Sequence, residues 1–386
     1  MNVLLMNATW YESSLPQSNA NQYPEENPTV STMSYFSKQS APNLAPHTTV
    51  LQIPQIARLP KGFVLVLLSS LLLAFQNVVI AMIFNKSQIF GMLKLGGFVA
   101  ANVGNSLLIV WIRMLIVVPS LAILATFIYP PMWREIKQFT NSKKISLFIN
   151  VLACGFFLFV SQVLIYLALG TIKPGIAITI FFLYPIFTIL LTWIIFNTKA
   201  SLFHSLLILF VLGGFVRLTL PIQGLALLSG VGIMAAGGSA IAFAFYLLLA
   251  QSCAKKLNPV PLSWINFATM LVFSSFSLLA PLPKAWHFKV APSMWSPLII
   301  SSLVLGILTV VSYLFNNIGI RLIDARRASI VGATLPVLTA ILAWIIINSK
   351  MPVEQVFGML LVTLGIAAFS LNQWRRARKK APVKSS

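Results

Sequence analysis

Ten apolar stretches, almost free of charged residues, follow one another along this chain from residue 62 onward. Most are close to the roughly 20 residues that an α-helix needs to cross the hydrocarbon core of a bilayer. Helices are expected because a segment in lipid must satisfy its backbone hydrogen bonds internally. The predicted spans are 62–84, 107–129, 145–169, 174–196, 202–216, 223–251, 260–280, 297–320, 328–347 and 356–371.

The composition supports an all-α integral membrane protein. Hydrophobic residues make up 58% of the 386 residues and charged residues only 9%, whereas soluble domains carry about 25% charged residues. The net charge of +21 does not indicate a nucleic-acid partner, because the basic residues lie in short connections and in the cluster RRARKK at 375–380. That placement is typical of topology signals and of attraction to anionic lipid headgroups.

Three segments outside the spans have their own predictions. Residues 1–57 are polar and rich in Pro without periodicity, which predicts a disordered tail. Residues 87–106 are apolar but rich in Gly, and we expect an interfacial segment there rather than an eleventh span. Residues 373–386 are predicted to form a basic cytoplasmic tail.

The distribution of Lys and Arg predicts the orientation. With the N-terminus in the cytoplasm, the cytoplasmic segments hold 19 of these residues and the outer segments hold 7. The excess of positive charge on one side favours cytoplasmic location of both termini, in the plasma or inner membrane.

An internal repeat determines the expected architecture. Residues 184–199 read YPIFTILLTWIIFNTK and residues 335–350 read LPVLTAILAWIIINSK, with eight of sixteen positions identical at an offset of 151. The matches include Pro185 with Pro336, and the register continues upstream to Ser161 and Ser312. Apolar segments match by chance at about one position in eight, so the identity indicates a duplication.

Each predicted repeat, 61–218 and 222–372, contains five spans, and five is an odd number. The second copy must therefore enter the bilayer from the opposite side. Inverted repeats of this kind place a substrate site near mid-depth between the halves, where rocking exposes it to either side in turn. The architecture thus predicts a transporter of a small molecule.

At these residues the chain resembles the drug/metabolite transporter superfamily, specifically its EamA-type ten-helix members. The stretches YPIFTILLTW and LPVLTAILAW are similar to the Pro-containing fourth and ninth spans of that family. WIRML places Arg113 where the second span of such proteins often carries an Arg, and the resemblance covers about 61–372. Family members often end these spans with Gly-Glu, where this chain has Asn197-Thr198 and Asn348-Ser349.

Candidate chemistry is sparse. All six acids and three histidines lie in the tail, in connections or at span edges, without catalytic or metal-ligand spacing, so no enzyme, metal or cofactor is predicted. No Asp, Glu or His lies deep in a span to couple protons or to balance a cationic drug. We expect a neutral, zwitterionic or anionic cargo.

Arg113 is the clearest ionisable group within a span. Two interpretations stay open: a functional charge facing a cavity, or a side chain that reaches the headgroups. Other polar residues in spans face the same choice between contact with substrate and helix-to-helix hydrogen bonding. The candidate substrate-binding residues are Gln76, Asn77, Arg113, Gln162, Tyr166, Tyr184, Thr188, Asn266, Asn316, Asn317 and Thr339.

Small residues recur every four positions in the sixth span, at Gly232, Ala236, Ala240 and Ala244. Such a stripe permits close helix packing, either within the chain or in a homodimer. The preferred hypothesis for the whole chain is an alternating-access transporter of a small metabolite. The alternative is a membrane scaffold or sensor that retains the fold without transporting.

Overall fold

The described part of the chain is almost entirely helical, with one two-stranded sheet. The computed structural model describes residues 55–141, 145–196, 202–219, 229–280, 283, 286–323 and 325–380. The elements in chain order are α1 (Gln55–Phe84), β1 (Lys86–Ile89), β2 (Leu93–Gly96), α2 (Val103–Ile128), α3 (Met132–Asn141), α4 (Ile145–Thr171), α5 (Pro174–Phe181), α6 (Tyr184–Phe196), α7 (Leu202–Thr219), α8 (Gly230–Ala254), α9 (Pro259–Leu279), α10 (Trp295–Ile323), α11 (Ala325–Gly332), α12 (Leu335–Ile347) and α13 (Val353–Lys380).

The ten predicted spans each correspond to a helix or to a consecutive pair of helices. Within the described residues, nine of these are long and apolar enough to cross a bilayer, and α7 adds a shorter apolar stretch, Ser205–Thr219. Most of the predicted N-terminal tail lies outside the described residues, and α1 already begins at Gln55. The last helix continues to Lys380, so much of the predicted basic tail extends this helix.

The Gly-rich segment predicted as interfacial at 87–106 forms a β-hairpin, and its last four residues, from Val103, already belong to α2. Its strands pair Lys86 with Gly96 and Ile89 with Leu93. The turn uses positive φ angles of 49° at Phe90 and 73° at Gly91. We call the end of the bundle that carries this hairpin the hairpin face.

The two halves run through the bundle in opposite directions. The Asn85 side chain after α1 donates to the Gly170 carbonyl of α4 (3.2 Å). The backbone N–H of Phe90 donates to the Ile346 carbonyl of α12 (2.9 Å). Because α4 and α12 both end at the hairpin face, the α5–α6 span leaves this face while the related α11–α12 span arrives at it. The predicted inverted repeats are therefore confirmed.

The fourth and ninth spans are both broken, and they break at matching places. Shifting the bounds of α5 and α6 by the repeat offset of 151 gives the bounds of α11 and α12. Each second segment carries a proline at its second position, Pro185 or Pro336. Proline lacks the N–H for the helical hydrogen bond and disfavours helical conformation in the residue before it, which accounts for the interruption.

A reciprocal pair of serines joins the halves twice. Ser161 of α4 and Ser239 of α8 each donate to the other's backbone carbonyl, at 3.0 and 2.8 Å. Ser312 of α10 and Ser69 of α1 do the same, at 3.1 and 2.9 Å. Ser161 and Ser312 are repeat partners, so the two contacts are counterparts across the pseudo-two-fold axis. A hydroxyl in lipid needs such a partner.

The small-residue stripe of the sixth span packs within the chain. Ala236, Ala240 and Ala244 of α8 are fully buried, and a Cβ added at Gly232 would lie 2.6 Å from Ile172 at the end of α4. The stripe therefore serves the α4–α8 contact and is not available to a second subunit. The homodimer stays a prediction.

Two related glycines permit close crossings between helices. A Cβ at Gly155 of α4 would lie 2.5 Å from Thr269 Cβ of α9. At the repeat-related Gly306 of α10, a Cβ would lie 2.9 Å from Ile116 Cβ of α2. These contacts also relate α2 to α9 by an offset of 153, the difference between 116 and 269.

We predict that Gly155→Ala lowers the stability of the purified protein by about 1–3 kcal/mol, because the added methyl forces α4 and α9 apart. Thermal unfolding in detergent measures the change. Gly237→Ala in α8 is the matched control, since no heavy atom lies within 4 Å of its added Cβ and Ala favours the helix. Equal melting temperatures for the two variants would contradict this account of the crossing.

Candidate functional site

Arg113 lies in the interior of the bundle. It stands ten residues after the start of α2, or about 15 Å along the helix axis from the hairpin face. The start of α2 is fixed by Asn102, whose side chain accepts a hydrogen bond from the backbone N–H of Asn105 (2.7 Å). Arg113 is only 5% exposed, so its guanidinium does not extend to the headgroup region.

The guanidinium of Arg113 bridges two other helices. Its Nε donates to Thr309 Oγ1 of α10 (2.9 Å). Its Nη1 donates to Gln162 Oε1 (3.2 Å) and to the hydroxyl of Tyr166, both on α4. The guanidinium carbon also lies 5.8 Å from the centre of the Tyr166 ring, within the range of a cation–π contact. The four residues join one span of the second half to two spans of the first.

Thr309 extends the network to the first span. Its hydroxyl lies 2.9 Å from Gln76 Oε1 of α1 and 2.7 Å from the Leu305 carbonyl of its own helix. We call the five connected residues the arginine cluster: Gln76, Arg113, Gln162, Tyr166 and Thr309. Four of them were predicted from the sequence as site residues, and the structure brings these four together.

A second polar contact adjoins the cluster along the chain. Asn77, the residue after Gln76, donates from Nδ2 to Thr339 Oγ1 of α12 (3.3 Å). Both residues were predicted as candidates. The bond joins the first span to the broken ninth span, so α1 contacts two different spans of the second half through adjacent polar residues.

Tyr184 and Thr188 of α6 lie apart from these contacts. The Thr188 hydroxyl donates to the Tyr184 carbonyl one turn earlier (2.8 Å), so its hydrogen is used within its own helix. The Tyr184 ring packs against Phe243 of α8 with ring centroids 5.0 Å apart. Tyr184 and Phe243 form an aromatic contact where the broken fourth span meets the sixth span.

The second half contains a counterpart of the arginine cluster with different chemistry. The offset of 153 that relates α2 to α9 places Asn266 opposite Arg113, and the offset of 151 places Tyr313 and Asn317 opposite Gln162 and Tyr166. Asn317 Nδ2 donates to the Tyr313 carbonyl of its own helix (2.7 Å). Asn266 is 1% exposed and neither of its amide atoms has a hydrogen-bond partner among the described residues.

We call Tyr246, Asn266, Tyr313 and Asn317 the amide cluster. Tyr246 of α8 and Cys154 of α4 lie beside the Asn266 side chain. Tyr313 and Asn317 line a narrow pocket together with Trp264 and Arg321. Asn316, also predicted as a candidate, is buried in the same stretch of α10.

Sequence reasoning missed Thr309, Tyr246 and Tyr313. Tyr313 could have been found by carrying Gln162 across the offset of 151. Thr309 gives no such signal, because its repeat partner is Leu158. In the described part of the chain, no three His, Cys, Asp or Glu residues come together as metal ligands would.

Comparison with known sequences agrees with this architecture. The sequence profile of the EamA-like transporter family matches residues 89–220 and 230–371. The chain is 37% identical over 307 residues to a protein of Synechocystis named uncharacterized transporter sll1319, covering 79% of this chain and 92% of the relative. A solved structure described only as "Crystal structure of protein" is 17% identical and covers 84% of this chain and 99% of its own, with a TM-score of 0.46.

The fold and the two profile matches define a multi-pass membrane transporter built from two repeats. The chain belongs to the EamA-like transporter family. The ninth span of this chain is followed by Asn348-Ser349, where family members often have Gly-Glu. Asn348 takes a left-handed conformation (φ 51°) at the C-terminal cap of α12 and its N–H donates to the Ala343 carbonyl, and Asn is one of the few non-Gly residues that tolerate this conformation.

We predict that Arg113→Lys destabilises the protein by about 1–3 kcal/mol, because one ammonium cannot replace the guanidinium bonds to both α10 and α4. Thermal unfolding of the purified variant measures this loss. Arg217→Lys is the matched control, since Arg217 is exposed near the end of α7. Equal stability of both variants would contradict a bridging role for the guanidinium.

Proposed function

We propose that this transporter carries a small metabolite by alternating access, with the cargo binding between the two inverted halves. The observation that carries the proposal is the pair of repeat-related polar clusters in unequal states. The arginine cluster is joined by hydrogen bonds across four helices, whereas the amide of Asn266 at the related place lies beside Cys154 and Tyr246 without a hydrogen bond of standard geometry to a described residue. Inverted repeats that alternate between two arrangements are expected to differ in this way in any one state.

We infer that the transport route is closed on the side of the hairpin face. There, the Lys173 ammonium donates to the Lys350 carbonyl (2.5 Å), and the backbone N–H of Lys289 donates to Asn105 Oδ1 (2.9 Å). Each bond joins the first half to the second. Partial burial lowers the pKa of Lys173. These contacts support a state in which the route from the hairpin face is shut.

The opposite face is less closely joined. The pocket beside Tyr313 and Asn317 lies in the part of α10 nearest this face. A wider recess between the halves is lined by residues that include Glu135, Lys255 and Asn258. The Glu135 carboxylate accepts a hydrogen bond from Tyr129, and this bond raises the pKa of the Tyr129 hydroxyl. We infer that the described state opens toward this face.

We assign the opposite face to the cytoplasm, in the plasma or inner membrane. It carries the basic residues of the α2–α4 and α8–α9 connections, such as Arg134, Lys137 and Lys256, as cytoplasmic segments do. The basic end of α13 would then meet the anionic lipids of the inner leaflet.

The cargo class follows from the polar groups of the spans. In the described residues no carboxylate is buried, so a cationic cargo would find no countercharge there. A neutral, zwitterionic or anionic metabolite fits this set. The residues proposed to contact the cargo during the cycle are Gln76, Asn77, Arg113, Gln162, Tyr166, Tyr184, Thr188, Asn266, Asn316, Asn317 and Thr339.

Counterflow in liposomes containing the purified chain separates transport from the scaffold alternative. A transporter preloaded with metabolites of one class accumulates the labelled compound against its gradient, while a scaffold shows no exchange for any compound tested.

We predict opposite changes in accessibility for the two halves when the transporter switches. Gln162→Cys and Asn317→Cys are made separately, with the buried Cys154 and Cys253 changed to Ala. In the described state, a membrane-impermeant thiol reagent added on the cytoplasmic side should label Asn317→Cys faster than the same reagent added on the outer side. Outward-directed cargo gradients should slow this labelling and speed labelling of Gln162→Cys from the other side. Parallel changes at the two sites would contradict alternating access.

A further inference from the structure

Arg113 is the only buried residue with a permanent charge in the part of the chain that the structure describes. The two described carboxylates lie elsewhere, Glu135 in α3 and Glu354 in the first turn of α13. A buried charge without a countercharge is unfavourable, because the low dielectric of the interior does not replace the lost hydration. The arginine cluster therefore holds one uncompensated positive charge.

The hydrogen bonds inside the cluster leave a set of unused donors. Arg113 Nη2 donates to no described residue, so both of its hydrogens are free. The Tyr166 oxygen accepts from Arg113, which leaves the hydroxyl hydrogen without an acceptor among the described residues. Gln162 must present its oxygen to Arg113, since a guanidinium only donates, and its amide hydrogens therefore point elsewhere.

Among these residues Gln162 gives access to the cluster, because the side chains of Arg113 and Tyr166 are only 5% and 1% exposed. Gln162 is half-buried, and Nη2 of Arg113 is not among the fully enclosed atoms that lack partners, unlike the Asn266 amide. A ligand at this place would meet a planar guanidinium edge, a phenol hydrogen and an amide N–H₂ group. A group that only accepts hydrogen bonds and carries negative charge complements all three.

We propose that the arginine cluster binds the carboxylate of the cargo, and that the cargo is a small monocarboxylate anion. This inference rests on the transport function proposed above and narrows its substrate class. One carboxylate balances the single charge of Arg113. A phosphate dianion would bring a surplus negative charge with no second buried cation in the described residues, and a zwitterion would bring an ammonium with no buried carboxylate to pair it.

The test uses the purified full-length chain and matched pairs of probes. Melting temperatures are measured in titrations with acetate, lactate and benzoate and with the corresponding amides, at constant ionic strength. The carboxylate is the group common to all members of the class and acetate is a minimal carrier of it, so binding of acetate at high concentration does not depend on knowing the cargo. We expect the acids to raise the melting temperature and the amides to leave it unchanged.

The variants assign the effect to the cluster. Arg113→Gln should weaken acid binding about 10- to 100-fold, the effect of losing hydrogen bonds to a charged group. Tyr166→Phe removes one donor and no charge, and it should weaken binding about threefold to tenfold by the loss of one hydrogen bond. If the Arg113→Gln protein is not expressed in a folded form, Tyr166→Phe still tests the proposal. Arg217→Gln changes the net charge equally at an exposed position and should bind as the parent does.

Three results would overturn the proposal: acids that stabilise no better than their amides, stabilisation that survives in Arg113→Gln, or equal stabilisation by alanine or inorganic phosphate. Counterflow on the same preparation keeps the two proposals apart. Arg113-dependent binding of acids without flux of any compound would overturn only the proposal that the protein transports. Flux of neutral compounds that is unchanged in Arg113→Gln would overturn only the proposal that the cargo is a monocarboxylate.

Discussion

Every polar atom in a membrane span needs a partner, because hydrocarbon offers none. This requirement organises the described bundle. The duplicated serine pairs satisfy four hydroxyls at the contacts between the halves. Thr188 returns its hydrogen to its own helix. Several buried polar atoms of the described residues do not meet the requirement, and the Asn266 amide is one of them. The free edge of Arg113 also has an incomplete set of bonds, which the proposed ligand would complete.

Much of the fold could be predicted from the sequence because hydrophobic length and the repeat are both local signals. Pro185 and Pro336 match at the offset of 151, and the interruptions of the fourth and ninth spans fall at these prolines. The hairpin was less accessible to prediction. Its turn depends on a positive φ angle at Phe90, a conformation that is rare for a bulky residue and is held here by the bond from the Phe90 N–H to the Ile346 carbonyl. That partner is more than 250 positions away, so no local pattern announces it.

The candidate site was only partly predictable for a related reason. Gln76, Arg113, Gln162 and Tyr166 stand out in the sequence as polar residues in apolar stretches, and they do meet. Their grouping depends on which helices cross, and it needed Thr309, whose threonine side chain is common in membrane helices. The remaining candidates divide between α6, α12 and the amide cluster, because polar residues in spans also serve helix packing.

The differences between Arg113 and Asn266 have a consequence for the working cycle of the molecule. Two identical five-helix chains would carry the same residue at both places, and under the proposed alternating access their two end states would be equal in energy. In this chain the two places differ, with a guanidinium network at one and an amide at the other. The proposed cycle would then have a preferred resting orientation, with the binding site on one side of the membrane for most of the time even when no solute gradient exists.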